Sequence, residues 1–265
     1  MELEEVTHLH IKQYIVYLQK KGRKPTYING ILKNIRAFFK YATDEEYLNV
    51  NPALKVNWQK EGKVVINAFN SNEINRMLNV FNYSDFLNAR NKTIIATFAD
   101  TGIRNQELCD LKITDVRETI IRILGKGNKE RYVPISPVLK KMMIKYERIK
   151  NFYFEDKNLN YDNYFLSNRA KPLTVEAVER IIKIAGEKAN VRKEIRCSPH
   201  TIRHYFAQTQ LRNGLDVYSL SRLLGHENIS ITKRYLQSIK DKDIIQMSIK
   251  TSPLMNLKSN RRGDK

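Results

Sequence analysis

The chain has 265 residues, of which 42% are apolar, enough for one large or two modest cores, and this argues against global disorder. No apolar run reaches the ~18 residues that a membrane helix needs, and Cys109 and Cys197 fit neither a zinc pattern nor a disulfide framework. The formal net charge of +19 favours nucleic acid as partner over an ordinary soluble protein rich in lysine. We expect a cytoplasmic protein with reduced thiols.

Residues 1–66 predict a small helical module. Apolar residues recur at helical spacing in VTHLHIKQYIVYLQKKG and again in TYINGILKNIRAFFKYATDEEYL. The apolar stripe of the second helix is expected to consist of Ile28, Ile31, Ile35, Phe38 and Phe39. The pattern breaks at Pro52, and ALKVNWQKEGKVVINAF shows no clear period, which predicts an interdomain linker with a boundary near residues 60–68.

Residues 67–265 predict a larger, mainly helical domain. Asn70 and Glu73 form a capping-box pattern, and DFLNARNKTIIATFADTG predicts a buried helix that ends at Gly102, before the short helix RNQELCDL. RETIIRIL and ERYVPI alternate around the turn GKGNK, which indicates a strand–turn–strand unit. Five helical patterns follow, from PVLKKMMIKYERIKNF to SITKRYLQSI, and the tail SNRRGDK is expected to be disordered. The predicted fold is mainly α with a small antiparallel β-hairpin.

Several polar side chains are candidates for chemistry, although each has an ordinary explanation. His200 and Arg203 share a helix face at i and i+3 but could simply face solvent. Arg104 opens a helix, where free amides attract anions, and Glu107 could fix its direction. Lys126 lies between two glycines in the turn that Lys129 and Arg131 follow, so this turn is either a phosphate-contacting finger or merely solvated.

The stretch LLGHENISITKRY holds the last candidates. A helix should end at Leu224 before Gly225, and Ser230 could cap the next one. His226 follows the glycine, and Tyr235 stands among cations, where a partly exposed tyrosine can act as a nucleophile. The alternative is a core tyrosine, because a phenol with a pKa near ~10 needs help to lose its proton.

Together these residues run in the order Arg…Lys…His-x-x-Arg…His…Tyr. The segments TGIRNQEL, GKGNKERYVPI, HTIRHYFAQTQLRNG and LLGHENISITKRY resemble the tyrosine recombinases, the family of phage integrases and Xer recombinases, over about residues 67–240. The resemblance implies that Tyr235 attacks a DNA phosphodiester and keeps the 3′-phosphate. It also implies that Arg104 and Arg203 clamp the non-bridging oxygens, for which the guanidinium fork is suited.

The resemblance assigns the remaining roles to three further residues. Lys126 would protonate the leaving 5′-oxygen, His200 would help to take the tyrosine proton, and His226 would donate to the phosphate. The resemblance implies no metal, no ATP and no other cofactor. The residues expected to contact DNA outside this set are Lys24, Lys33, Arg36, Lys40, Lys129 and Arg131.

The resemblance also implies an organisation. Residues 1–66 would form a helical core-binding domain that lacks its usual first helix. Residues 67–265 would form the catalytic domain, and the two domains together would form a C-shaped clamp on double-stranded DNA. Residues 236–257 resemble a tail that docks on a neighbouring protomer in a tetramer, with an accessory DNA-bending protein as a further possible partner. We expect site-specific strand exchange that integrates and excises a mobile element, as in transposition. The alternatives are DNA relaxation of the type IB topoisomerase kind and a non-catalytic helix-turn-helix regulator.

Overall fold

A computed structural model describes residues 2–62, 66–125, 130–239, 241–250 and 253–254. The chain divides into two compact units, Met1–Val64 and Val65–Lys265, a division that lies within the boundary region expected from the sequence. The fold is mostly helical with one two-stranded antiparallel sheet, as predicted. In the segments so described, no helix is both long enough and apolar enough to cross a membrane.

The elements follow the predicted order closely. The α-helices are α1 (His8–Lys20), α2 (Pro25–Asp44), α3 (Ser71–Asn79), α4 (Phe86–Thr101), α5 (Asn105–Asp110), α6 (Pro137–Tyr153), α7 (Val175–Lys188), α8 (Pro199–Arg212), α9 (Val217–Leu224), α10 (Ile229–Lys233) and α11 (Asp241–Lys250). The strands are β1 (Ile120–Leu124) and β2 (Glu130–Pro134), with Ile121 opposite Val133. Short 3-10 helices lie at Leu3–Glu5, Pro52–Lys55, Ile113–Asp115 and Arg234–Ser238.

The core of the first unit corrects two sequence-based expectations. Phe38, expected on the apolar stripe of α2, is 54% exposed, whereas Leu32 is fully buried because it lies one turn from Ile28 on the inward face. Val56 in the expected linker is also buried. The linker region as far as Gln59 therefore belongs to the first unit, where its backbone NH donates to the side chain of Asn29.

Helix α4 is the central element of the second unit and packs against both α6 and α8. It is buried although it contains Thr93, Thr97 and Thr101, because each of these hydroxyls donates to the backbone carbonyl four residues earlier. The predicted capping box of Asn70 and Glu73 is present at the start of α3. These local bonds let polar side chains occupy buried positions without leaving a donor unsatisfied.

A smaller apolar cluster gathers the C-terminal helices beside this core. We call it the C-terminal cluster, and its buried members are Phe206, Ala207, Leu211, Leu220, Leu224 and Tyr235. Phe206 also packs against the end of α4, where Gly102 adopts a left-handed φ of 62°. A Cβ atom at Gly102 would overlap the Phe206 ring, so only glycine allows α4 and α8 to approach this closely.

Substitution of Gly102 by alanine should destabilise the second unit for two reasons, the left-handed backbone and the displaced Phe206 ring. We expect Gly102→Ala to lower the free energy of unfolding by roughly 2–4 kcal/mol, since overpacking adds to the cost of the backbone conformation. Gly214→Ala is the matched control, because Gly214 also has a positive φ, of 100°, but open space around it. It should lose only about 1–2 kcal/mol. Urea unfolding followed by far-ultraviolet circular dichroism measures both, and equal losses would contradict the packing argument.

Candidate active site

Five of the six predicted catalytic residues lie in the described segments and meet where α4, α8 and α9 end or cross. They are Arg104, His200, Arg203, His226 and Tyr235. The fold brings them together from four separate stretches of the chain. Lys126 and Lys129, both predicted to act from the turn between the strands, lie outside the described residues.

Arg203 occupies the centre of the site and is 4% exposed. Its Nη1 donates to the carbonyl oxygen of Gly102 at 2.6 Å, and its Nη2 donates to that of Leu224 at 2.7 Å. These carbonyls stand at the ends of α4 and α9, where the helix dipole attracts a cation. Burial, and next the repulsion from Arg104, lower the pKa of Arg203 to about 10, so it remains charged at neutral pH.

Arg104 lies at the more open side of the site, with its side chain 45% exposed. It precedes α5, and its Nη1 donates to Glu107 Oε1 at 2.8 Å, the pairing that the sequence suggested. Its Nη2 donates to the carbonyl oxygen of Gly225 at 2.9 Å. Two guanidinium groups, Arg104 and Arg203, thus hold neighbouring carbonyls at the end of α9 and define one positively charged region.

Arg131, a predicted DNA contact, is bound by protein groups in this structure. Its Nη1 and Nη2 donate to the two carboxylate oxygens of Glu107 at 2.8 and 2.6 Å, and its Nε donates to the carbonyl oxygen of Leu223. The side chain is only 13% exposed. Arg131 therefore holds β2 against α5 and α9. Its pairing with Glu107 is bidentate, a geometry to which the guanidinium is suited.

Glu107 supplies the negative charge of this region. Burial alone would raise its pKa, but the hydrogen bonds and charge of Arg131, together with the bonds from Arg104, outweigh burial and hold the pKa at about 2. The carboxylate is therefore ionised at any pH near neutrality, and its two arginine partners are fixed in direction.

His226 is held by two partners. Arg203 Nη2 lies 3.1 Å from Nε2, and because arginine can only donate, Nε2 must accept. Burial, followed by the charges of Arg203, Arg104 and Arg131, lowers the pKa of His226 to about 4, so the ring is neutral near pH 7. The remaining proton must then be on Nδ1, which donates to Thr232 Oγ1 at 2.7 Å.

Tyr235 is buried rather than partly exposed as predicted, with 3% of its surface accessible. Its ring belongs to the C-terminal cluster, while its hydroxyl lies 3.0 Å from Nδ1 of His204. Burial raises the pKa of the phenol, and the charges of Arg203 and Arg234 offset part of this increase. The apolar ring therefore packs in the cluster while the polar end of the side chain faces the charged site.

His204 is a site residue that the sequence analysis did not identify. It follows Arg203 directly in HTIRH and lies four residues after His200, hence on the same helix face. The two imidazole rings contact each other with centroids 4.2 Å apart. The i, i+4 spacing was a signal available in the sequence, but only the fold brings Tyr235 to this face.

Two smaller expectations also change. The residue that caps α10 is Asn228, whose side chain accepts from the Ser230 amide, rather than Ser230 itself. In the first unit, Arg36 was predicted to contact DNA, yet its guanidinium donates to the carbonyls of Ala53 and Val56 and stacks on Trp58. The other predicted DNA contacts of this unit, Lys24, Lys33 and Lys40, are exposed, with Lys40 paired to Asp44.

Comparison with known proteins identifies the family. Residues 67–242 match the phage integrase family. The chain is 31% identical to tyrosine recombinase XerC of Thermodesulfovibrio yellowstonii over 258 residues, which cover 96% of this chain and 85% of that protein. It is 30% identical to XerD of Staphylococcus saprophyticus over 244 residues, covering 89% of this chain and 81% of the relative.

Solved structures agree in fold. The crystal structure of XerA recombinase is 27% identical with a TM-score of 0.60, over 96% of this chain and 86% of XerA. The XerH site-specific recombinase bound to its palindromic difH substrate is 20% identical with a TM-score of 0.75, over 94% of this chain and 73% of XerH. The chain therefore belongs to the phage integrase family and is a tyrosine recombinase of the Xer-like type, an enzyme of site-specific DNA strand cleavage and rejoining.

Proposed function

We propose that this enzyme exchanges DNA strands through a covalent 3′-phosphotyrosine intermediate formed by Tyr235. The observation that carries the proposal is the buried guanidinium of Arg203, which binds the ends of α4 and α9 and also His226. Its charge also acts on the Tyr235 phenol. Tyr235 Oη forms a bond to phosphorus, the bond from phosphorus to the 5′-oxygen breaks, and Lys126 protonates that oxygen. Because the phosphotyrosine retains the energy of the cleaved bond, rejoining needs neither metal nor nucleotide.

Arg104 and Arg203 would hold the non-bridging oxygens of the scissile phosphate. Among the described residues, Arg203 uses three N–H groups on protein acceptors, so two of its five donors are available to a phosphate. Arg104 is more exposed and stands next to it, fixed by Glu107. Donors held rigidly before the substrate arrives are the arrangement that stabilises charge developing on phosphorus.

The two histidines of the family pattern would complete the phosphate site. His226 would donate to a phosphate oxygen, which requires its Nε2 to carry a proton instead of accepting from Arg203 as it does in this structure. His200 is exposed at the start of α8, and its ring contacts that of His204, so it would help in taking the tyrosine proton through this neighbour. A phosphate anion between these rings would favour their protonated forms.

The basic side chains and the exposed apolar face of the C-terminal segment indicate the partners of this enzyme. We propose that residues 1–66 form the core-binding domain, with Lys24, Lys33 and Lys40 toward the phosphate backbone, and that residues 67–265 form the catalytic domain that closes the clamp on duplex DNA. In α11, Ile244, Ile245 and Ile249 are each more than half exposed, which supports a docking tail and assembly of a tetramer on DNA. A DNA-bending accessory protein remains part of the proposal.

The biological setting we propose is the integration and excision of a mobile element by a DNA-associated cytoplasmic enzyme. Relatives at 30–31% identity are named XerC and XerD. The Tn1549 transposon integrase bound to transposon right end DNA shares the fold, with a TM-score of 0.73 and 16% identity. The match covers 95% of this chain and 87% of that chain. Sequencing the DNA trapped covalently in cells tests this. DNA from the ends of an element would support the proposal, and DNA from one chromosomal site outside any element would overturn it.

Replacement of Tyr235 by phenylalanine should abolish covalent attachment to DNA. On a nicked suicide substrate, wild type should give an adduct that resists detergent, whereas Tyr235→Phe should give none while it binds DNA nearly as well, because only one oxygen is lost. Tyr205→Phe is the matched control, since its hydroxyl faces Ser71 instead of the site. An adduct formed by Tyr235→Phe would assign the nucleophile elsewhere.

Replacement of Arg203 by lysine should fail to preserve cleavage. One ammonium cannot hold the carbonyls of Gly102 and Leu224 and also present a fork to the phosphate, so we expect a rate loss on the order of 10²–10³. Single-turnover cleavage measures the loss, and circular dichroism shows whether the fold is retained. Near-normal cleavage by Arg203→Lys would contradict the bidentate role.

A substrate with sulfur in place of the bridging 5′-oxygen should rescue the loss of Lys126. A thiolate leaves without a proton, so Lys126→Ala should be slow on normal DNA but close to wild type on the phosphorothiolate if Lys126 is the general acid. A mere phosphate contact would leave both substrates equally slow. Lys129→Ala is the control, and rescue in that variant instead would transfer the role to Lys129.

A further inference from the structure

Among the residues that the structure describes, His204 places a ring nitrogen within hydrogen-bond distance of the Tyr235 hydroxyl. The Tyr235 Oη lies 3.0 Å from His204 Nδ1, with the ring centroids 5.4 Å apart. His204 is half-buried in the middle of α8, one turn beyond His200, whereas His200 is exposed at the start of that helix. The group within reach of the nucleophile's proton is thus one turn away from the histidine of the family pattern.

The surroundings of His204 make it a neutral base. Burial, followed by the titratable or charged groups that face it, His200 and Arg203 on α8 and Arg234 beside Tyr235, lowers the pKa of His204 to about 4. A neutral imidazole has one lone pair, and if Nε2 carries the proton then Nδ1 presents that lone pair to the hydroxyl. Tyrosine and histidine then form a neutral donor–acceptor pair at rest.

We propose that His204 is the group that accepts the Tyr235 proton when Oη attacks phosphorus. This inference rests on the proposed function and assigns one step of it. The Oη–P bond forms while the proton moves from Oη to Nδ1, the bond from phosphorus to the 5′-oxygen breaks, and that oxygen takes its proton from Lys126. In rejoining, the 5′-hydroxyl attacks phosphorus and returns its proton to Lys126, the P–Oη bond breaks, and His204 returns its proton to the phenolate oxygen.

The resting pair favours transfer during attack over transfer beforehand. The phenol keeps its proton in the absence of DNA, because burial raises the pKa of Tyr235 while the neighbouring cations keep His204 neutral. A phosphate brought between Arg104 and Arg203 adds negative charge close to the imidazole and favours its protonated form. The imidazole of His204 therefore becomes a stronger base only when the DNA phosphate is bound.

His204→Asn separates proton transfer from positioning. The asparagine amide offers a hydrogen-bonding atom near the place of Nδ1 but cannot take a proton, whereas His204→Leu removes both functions. We expect both variants to lose on the order of 10²–10⁴ in single-turnover cleavage of the suicide substrate with unchanged DNA affinity. If His204 only positions the phenol, His204→Asn will cleave close to wild type while His204→Leu will not, and the proposal fails.

Cleavage with a nucleophile that ionises more readily gives a second test of proton transfer by His204. With 3,5-difluorotyrosine incorporated at position 235, the phenol needs less help from a base. The defect of His204→Asn should then shrink by at least about tenfold relative to the defect measured with ordinary tyrosine. A positioning or folding role predicts the same defect with either nucleophile, and that result would overturn the assignment.

The controls distinguish this inference from the function on which it rests. Tyr205→Phe alters the next residue of α8 and should cleave like wild type. If Tyr235→Phe still forms the adduct, the proposed function itself is wrong. If Tyr235→Phe is inactive but His204→Asn cleaves normally, only the role of His204 is wrong, and His200→Asn then tests the histidine of the family pattern.

Discussion

The site depends on one buried cation, the guanidinium of Arg203. It ties the carbonyl at the end of α4 to the carbonyl at the end of α9 and also meets His226, so three separate segments share a single charged group. A planar fork can reach these acceptors at once, which a flexible ammonium cannot. Since an unpaired buried charge is costly, the chain can keep Arg203 inside only while both helix ends stay where they are.

The concentration of positive charge is balanced by a single carboxylate. Arg104, Arg131 and Arg203 lie within one region, and Glu107 binds the first two directly. Arg131 also lies beside Gly225, a glycine with φ of 64° where an added Cβ atom would come within 3.0–3.1 Å of the arginine side chain. Glu107 therefore does two things: it lowers the repulsion that the free protein must tolerate, and it leaves the site with a net positive charge for DNA.

Much of the fold was predictable from short-range patterns. The helices as far as α10, the strand pair and the glycines that end α4 and α9 were expected from periodicity and stop signals, and the structure has them, whereas α11 was not predicted. The errors concern long-range contacts. Phe38 was placed on the core stripe because its spacing fits, but spacing alone does not tell which side of a wide stripe meets a partner.

The site shows the same limit. Proximity of Arg104 and Glu107 follows from their spacing on one helix, whereas the capture of Arg131 by Glu107 joins residues 24 apart and has no local signal. His204 and Tyr235 are 31 residues apart in the chain, so their contact has no local signal. The sequence could indicate only that His200 and His204 share one face of a helix. Tyr235 looked exposed because its chain neighbours are polar, although its ring packs with residues from other helices.

The hydrogen bond between His226 and Thr232 connects the loop after α9 with the segment that carries Tyr235. Thr232 is fully buried and lies three residues before Tyr235, so the histidine beyond α9 and the segment that carries the tyrosine are linked through one hydroxyl. A displacement of that segment stretches this bond, which frees Nδ1 and changes which ring nitrogen carries the proton. The position of the tyrosine segment and the tautomer of His226 are thus coupled: while the bond to Thr232 is formed, the neutral ring holds its proton on Nδ1, and release of that bond is what lets Nε2 carry the proton and donate.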